Sequence, residues 1–94
     1  MYNRILRQMR ESVRQRQYVM TLHAEEEMAN DGFTIFDVER AILTGEIVER
    51  QKDHQSGEWK YLVFGQVIDG RLITVVAKLS ITNKLVIITV YMGN

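Results

Sequence analysis

The stretch RLITVVAKLSITNKLVIITVYM, Arg71–Met92, determines the fold class of this chain. It consists of two long runs rich in β-branched and other apolar residues, separated by a short turn at Ile81–Asn83. Runs of this length and composition predict β-strands, which we expect at Arg71–Ser80 and Lys84–Met92. Both runs are apolar on their two faces, whereas a sheet with one solvated face shows regular alternation. The second face of the sheet is therefore predicted to be a cleft or a surface that a partner covers.

Two further strands are predicted upstream of this stretch. Trp59–Ile68 and Glu46–Gln51 are rich in strand-forming residues, and the polar loop Lys52–Glu58 separates them. The dipeptide Asp69-Gly70 predicts a hairpin with a two-residue turn in which φ is positive. Four strands with short connections predict an antiparallel meander.

The residues before the first of these strands have helical periodicity. Tyr2–Gln15 places its apolar residues within an arc of about 100° on a helical wheel. Thr21 is a candidate N-cap for a second helix, which Gly32 ends as a left-handed residue would. Tyr18–Met20, between the two helices, is interpreted as a short extended or looped join.

A third helix is predicted to begin at Thr34–Asp37, which has the pattern of a capping box, and to end at Gly45. Three helices followed by strands are typical of the α+β class. We therefore predict a single domain over residues 1–94, in which three helices pack on a four-stranded antiparallel sheet.

The composition excludes several classes of protein. Hydrophobic residues make up 46% of the chain and charged residues 26%, which excludes the disordered and fibrous classes. The chain has no cysteine, which excludes a disulfide scaffold and a thiolate metal site. We find no signal-peptide core and no apolar run long enough to span a membrane, so we expect a cytoplasmic protein without membrane association.

The charges are distributed unevenly along the chain. Residues 1–20 carry five arginines against the single acid Glu11, whereas residues 21–50 carry eight acids against two arginines. The outer face of the first predicted helix carries Arg4, Arg7, Arg10 and Arg14. This face is a candidate binding surface for phosphates or for an acidic protein segment. The alternative is that this face of the helix is exposed to solvent and binds no ligand.

One helical stripe in the second predicted helix combines a histidine with acids. His23, Glu27 and Asp31 stand at positions i, i+4 and i+8, so they share one side of the helix. An imidazole and a carboxylate one turn apart can share a proton or bind a divalent ion. The stripe lacks the spacing and third ligand of a zinc motif, so no metal and no cofactor are predicted. The alternative is a packed, hydrogen-bonded histidine beside solvated acids.

Basic and aromatic residues of the predicted strands form a candidate anion-binding surface. Its members are Arg50, Lys60, Lys78, Tyr61 and Tyr91. Alternatively, Lys60 and Lys78 protect sheet edges from aggregation, and Tyr91 completes the core. Trp59 can stack on a nucleic-acid base or anchor the core or a partner surface.

Several segments of the chain resemble domain-of-unknown-function family 4258, a family of small bacterial proteins related in fold to the RelE/ParE toxins. The segments are LHAEEEM, ANDGFT, IFDVERAILTGEIVE, KYLVFG and VIITVY, and the resemblance spans about Tyr18–Met92. It implies a RelE/ParE-like fold and a likeness to metal-independent messenger-RNA endonucleases of the BrnT and MqsR types. It also implies two kinds of partner, namely RNA or the ribosome, and a YgiT-type zinc-finger antitoxin.

The resemblance identifies His23 as the family's helical histidine. We therefore predict a toxin component in which His23 is the general acid and base, while the phosphate is held by Arg50, Lys60, Lys78 and Tyr91. Where family members usually carry two arginines, this chain has Glu27 and Asp31. Acids at these positions repel RNA, so the ribonuclease activity is predicted to be lost or altered. The alternative is a non-catalytic protein-interaction module of the same fold.

The predicted association state is a homodimer when no other partner is present. Three helices can cover only one face of a sheet whose strands are apolar on both faces. A small domain of this kind leaves a larger apolar patch than monomers usually expose.

Overall fold

A computed structural model describes residues 1–93. Within that range the elements are α1 (Asn3–Arg14), β1 (Tyr18–Met20), α2 (Leu22–Asn30), α3 (Ile35–Thr44), β2 (Glu46–Lys52), β3 (Trp59–Gln66), β4 (Leu72–Leu79) and β5 (Leu85–Met92). The strands form one sheet in the order β1-β5-β4-β3-β2. Strands β2 to β5 are an antiparallel meander, and β1 pairs in parallel with β5. The α+β class and the three helices are thus as predicted.

The predicted four-stranded antiparallel sheet is wrong, because residues 1–93 form a five-stranded mixed sheet. The segment interpreted as a join is β1, in which Tyr18 lies opposite Leu85 and Met20 lies opposite Ile87. The Tyr18 hydroxyl donates a hydrogen bond to the carboxylate of Glu39 in α3. Burial is the largest cause that raises the pKa of Tyr18 well above its ordinary value, and this hydrogen bond is the second. The phenol therefore stays protonated and holds β1 against α3.

The predicted helix ends are confirmed. The Thr21 side chain accepts a hydrogen bond from the amide of Ala24 at 3.1 Å and caps α2. Gly32 follows the end of that helix with a φ of 70°, the left-handed conformation that glycine adopts without strain. Thr34 and Asp37 form a reciprocal capping box at the start of α3.

The hairpin between β3 and β4 has its tip at Asp69-Gly70, but the predicted two-residue turn is wrong. The amide of Val67 donates to the carbonyl of Arg71 at 2.9 Å, which leaves three residues in the loop. Gly70 alone among them is left-handed, with a φ of 96°. A type I turn followed by a left-handed residue is a common three-residue hairpin loop.

The core lies between the helices and one face of the sheet. Fully buried side chains come from Met9 in α1, Ile42 in α3, and Val63, Val75 and Ile87 in the strands. Successive side chains of a strand point to opposite faces of the sheet. The opposite face, which we call the open sheet face, therefore carries Leu62, Phe64, Thr74, Val76, Val86 and Tyr91.

The open sheet face is apolar and is shielded in part by its own side chains. Thr74 and Val76 are buried at its centre, and the side chains around them are half-buried. No helix within residues 1–93 packs there, because the helix layer covers the other face. None of the helices in this range is long and apolar enough to cross a membrane.

Candidate nucleic-acid interface

Cationic and aromatic side chains meet where the start of α1 approaches β2 and β3. We call this group the edge cluster, because β2 is an edge strand of the sheet. Its members are Tyr2, Arg4, Arg50, Lys52, Trp59 and Tyr61. Two of these residues lie at the start of α1, two lie in β2 and two lie in β3.

Strand register explains why the strand residues of the cluster are neighbours. Arg50 lies opposite Tyr61, and Lys52 lies opposite Trp59, so these four side chains share the face on which the helices pack. Arg50 is diagonal to Trp59 across the strand pair, a spacing that long side chains can bridge. The guanidinium carbon of Arg50 lies 4.1 Å from the centre of the Trp59 ring, and Lys52 Nζ lies 5.8 Å from it. Both cations therefore interact with the π-face of one indole.

Helix α1 closes the other side of the cluster. The Tyr2 and Tyr61 rings are 5.8 Å apart in an edge-to-face arrangement, and the Arg50 guanidinium lies 6.0 Å from the centre of the Tyr2 ring. Tyr61 is only 8% exposed. Its ring is thus largely covered and supports the cluster, and its predicted role in binding an anion stays a prediction.

The cluster carries a net positive charge. Arg4, Arg50 and Lys52 are exposed, and none of them forms an ion pair with another residue in the range 1–93. A groove of about 310 Å³ runs between Arg4, Arg50 and the two tyrosines. Unpaired cations beside a partly exposed aromatic ring are the combination that binds single-stranded nucleic acid.

The structure does not bring the five predicted catalytic residues together. His23 is exposed near the start of α2, which packs on β5. Arg50 lies in β2, and three strand spacings separate β2 from β5. The two strands are therefore about 14 Å apart across the sheet. Lys60, Lys78 and Tyr91 alternate with core residues, so they lie on the open sheet face, away from both. Their joint catalytic role stays a prediction.

On the open sheet face the two lysines lie at one end of the β3–β4 pair, next to the opposed residues Tyr61 and Ala77, and are separated from Tyr91. Lys78 Nζ forms a 3.0 Å salt bridge with Glu58, which offsets its charge. Lys78 lies opposite Val86, whereas Tyr91 lies opposite Thr74. Four residues along β4 separate these two positions, a distance of about 13 Å.

The acids of the helical stripe are half-buried, while His23 is exposed. The carbonyl oxygen of Asp31 accepts a 2.8 Å hydrogen bond from Arg71, whose guanidinium also lies 4.5 Å from the centre of the Phe33 ring. Asp31 therefore belongs to the junction between α2 and the β3–β4 hairpin. No group of three His, Asp or Glu side chains within residues 1–93 is arranged to hold a metal ion.

The predicted arginine face of α1 divides into different environments. Arg10 donates hydrogen bonds to the carbonyl oxygens of Ile42 at 3.0 Å and Gly45 at 2.8 Å, so it stabilises the end of α3. Arg14 forms a 3.8 Å salt bridge with Glu11. Arg4 and Arg7 are exposed, and Arg4 lines the edge-cluster groove.

The family described as Domain of unknown function (DUF4258) matches residues 20–92, well over half of the chain. This chain belongs to the DUF4258 family. No curated protein and no solved structure matches it. The family resemblance in the sequence is confirmed, and the relation to RelE/ParE toxins stays a prediction.

The edge cluster extends beyond the DUF4258 region. Arg50, Lys52, Trp59 and Tyr61 lie within residues 20–92, whereas Tyr2, at the N-cap of α1, and Arg4 in α1 precede this region. The four strand residues therefore form the part of the cluster that the family region supplies, and α1 adds a further cation and an aromatic wall.

Sequence reasoning missed part of this surface. It did not single out Lys52 or Tyr2, and it considered Trp59 without joining it to Arg50. The available signal was the two-residue spacing of Arg50 and Lys52, since residues two apart in a strand share a face. The sequence predicted Lys52 in the loop after the strand, however, whereas β2 extends to Lys52. The contact with Tyr2 had no comparable signal, because it joins α1 to the sheet.

Proposed function

We propose that this DUF4258 protein is a toxin-type component of a bacterial toxin–antitoxin system, and that it acts in the cytoplasm by binding RNA at the edge cluster. The observation that supports this function is the Arg50 guanidinium 4.1 Å from the Trp59 ring, with Arg4 and Lys52 exposed beside it. Aromatic rings stack on bases, and unpaired cations bind the phosphates between them.

We further propose that RNA cleavage is lost or reduced in this chain. A histidine that cleaves RNA without a metal needs cations nearby to offset the charge of the transition state. His23 shares α2 with Glu25, Glu26 and Glu27, whereas the edge cluster lies toward the opposite edge of the sheet. This distribution favours binding over cleavage.

An RNA-binding assay with a His23 variant tests this function. A fluorescently labelled single-stranded RNA is expected to bind the wild-type protein with an affinity that falls as the salt concentration rises, because bound cations release counterions from RNA. His23→Ala is expected to bind equally well, since His23 is outside the edge cluster, and neither protein is expected to shorten the RNA. Fluorescence anisotropy measures binding, and gel electrophoresis of the same samples measures cleavage.

Two outcomes would count against this function. A wild-type protein that binds no RNA even at about 50 mM salt, where phosphate contacts are strong, contradicts RNA binding. Cleavage by the wild type that disappears in His23→Ala would show instead that His23 is catalytic.

A non-catalytic protein-interaction module is the second candidate function, and the open sheet face favours it. Leu62, Phe64, Val76 and Tyr91 lie on this face, and no helix within residues 1–93 packs against them. We propose that an antitoxin, of which a YgiT-type zinc-finger protein is the example implied by the resemblance, covers it. Without that partner, we propose that two copies of the chain pair through this face.

Light scattering at micromolar concentration tests the homodimer. The wild-type protein is expected to show twice the monomer mass of 11.0 kDa. Phe64→Glu is expected to produce monomers, because it places an unpaired charge in the apolar interface. Phe36→Glu is the matched control, since Phe36 is 68% exposed on α3. A wild-type monomer would contradict the homodimer, and dimers in both variants would exclude the open sheet face as the interface.

A further inference from the structure

We propose that the groove beside Trp59 holds one unpaired RNA base, so that the edge cluster selects single-stranded over duplex RNA. This inference rests on the proposed RNA binding, and it adds the place where a base is held and the class of RNA that fits.

Two grooves adjoin at the edge cluster and differ in chemistry. The first, of about 310 Å³, carries the cations Arg4 and Arg50. The second, of about 250 Å³, is lined by Trp59 and by residues of the β4–β5 turn. Both grooves share Ile5 and Tyr61. A nucleotide can therefore place its phosphate in the first groove and its base in the second.

The second groove has the apolar walls that a base requires. Trp59 is 39% exposed, and Ile5 and Tyr61 lie beside it. Tyr61 is held by its contact with Tyr2, so this wall is formed before the ligand arrives. The planar guanidinium of Arg50, 4.1 Å from the indole, extends the stacking surface, because bases stack on arginine as well as on aromatic rings.

The rim of this groove is polar and has little net charge. Gln8 and Asn83 line it, and their amides can both donate hydrogen bonds to a base edge and accept them from it. Glu58 also lines the groove, but its carboxylate forms the 3.0 Å salt bridge with Lys78. Lys78 therefore offsets the charge of this acid, which weakens its repulsion of RNA.

This geometry favours RNA whose bases are unpaired. In duplex RNA the bases are stacked on their neighbours, and proteins contact mainly the backbone and the shallow minor groove. A groove that must receive one splayed base excludes the duplex, while the exposed cations alone would bind both forms. Selectivity for single strands is thus the property that separates base stacking from charge attraction.

Tryptophan fluorescence tests the inference directly, because Trp59 is the only tryptophan of the chain. The wild-type protein is titrated with a single-stranded oligoribonucleotide, a duplex of equal length, and inorganic polyphosphate. Only the single strand is expected to quench Trp59 strongly, since polyphosphate has no base to stack. Equal quenching by all three ligands, or none by bound single-stranded RNA, would overturn the inference.

Substitution of Trp59 gives the second readout, measured by anisotropy of labelled RNA. Trp59→Leu is expected to weaken single-strand binding about 5- to 100-fold, the range for loss of one stacked base, whereas Trp59→Tyr retains most of the affinity. Phe36→Leu, at an exposed aromatic position on α3, is the matched control and is expected to bind as the wild type does. A Trp59→Leu protein that binds RNA within about twofold of the wild type refutes the base site but leaves RNA binding intact. If no variant and no wild-type sample binds RNA, both the base site and the proposed function are refuted.

Discussion

Replacing Gly45 by alanine is expected to lower the free energy of unfolding by more than about 3 kcal/mol, a large fraction of the stability of a small domain. A Cβ atom at this position would lie 2.3 Å from the carbonyl oxygen of Phe64 and 2.4 Å from that of Ala41. Both atoms belong to backbone, so neither can move aside as the end of a flexible side chain would. The φ of Gly45 is −88°, so the cause is the close approach of α3 to β3 and not an unusual backbone angle.

The expected loss extends to α1. Arg10 donates a 2.8 Å hydrogen bond to the carbonyl oxygen of Gly45, and a displaced Gly45 would weaken it. Because the same segment leads from α3 into β2, we also expect weaker packing under the edge cluster. Urea denaturation followed by circular dichroism measures the loss of stability.

Gly57→Ala is the matched control for this substitution. Gly57 has a φ of 75°, but no atom outside its immediate neighbours lies within 4 Å of its Cβ position. The expected cost is therefore only the backbone strain of a left-handed residue, about 1–2 kcal/mol. If the two variants unfold at the same urea concentration, the close contact at Gly45 is not the dominant effect.

Reversing the charge of Arg50 is expected to weaken RNA binding at the edge cluster strongly. Arg50→Glu removes a cation that contacts two aromatic rings and places an anion in the groove that we propose for phosphate. We expect the affinity for RNA to fall by about 10- to 100-fold at low salt. The decrease of affinity with rising salt concentration is also expected to be shallower, by about the slope that one phosphate contact contributes. The shallower salt dependence separates a lost phosphate contact from a general loss of packing.

Arg40→Glu is the control for the change in net charge. Arg40 is exposed on α3 and is not a member of the edge cluster, yet its reversal alters the total charge by the same amount. Its RNA affinity is expected to stay within about threefold of the wild type, because Arg40 lines neither groove of the edge cluster and so loses no phosphate contact there. Anisotropy titrations at several salt concentrations measure both variants. An equal loss in the two variants would show that RNA responds to overall charge and not to the edge cluster.

The sequence by itself determined the helices, their ends and the four long strands, because each depends on neighbouring residues. The capping box of Thr34 and Asp37 joins side chains and amides only three residues apart. Strands β3 to β5 are long apolar runs, and consecutive antiparallel strands pair through short loops. The family could likewise be recognised from the order of short segments between Tyr18 and Met92.

Only the tertiary structure decided how distant residues combine. β1 has only three residues, and it is a strand because it pairs in parallel with β5 near the other end of the chain. Arg10 belonged to the arginine face that was predicted as a candidate binding surface, but its guanidinium donates hydrogen bonds to carbonyl groups at the end of α3. Arg50 and Lys78 were grouped by charge, yet strand alternation places them on opposite faces of the sheet. The edge cluster depends on β2 register with β3 and on the approach of α1. Such contacts between distant residues depend on packing, for which local sequence patterns carry no signal.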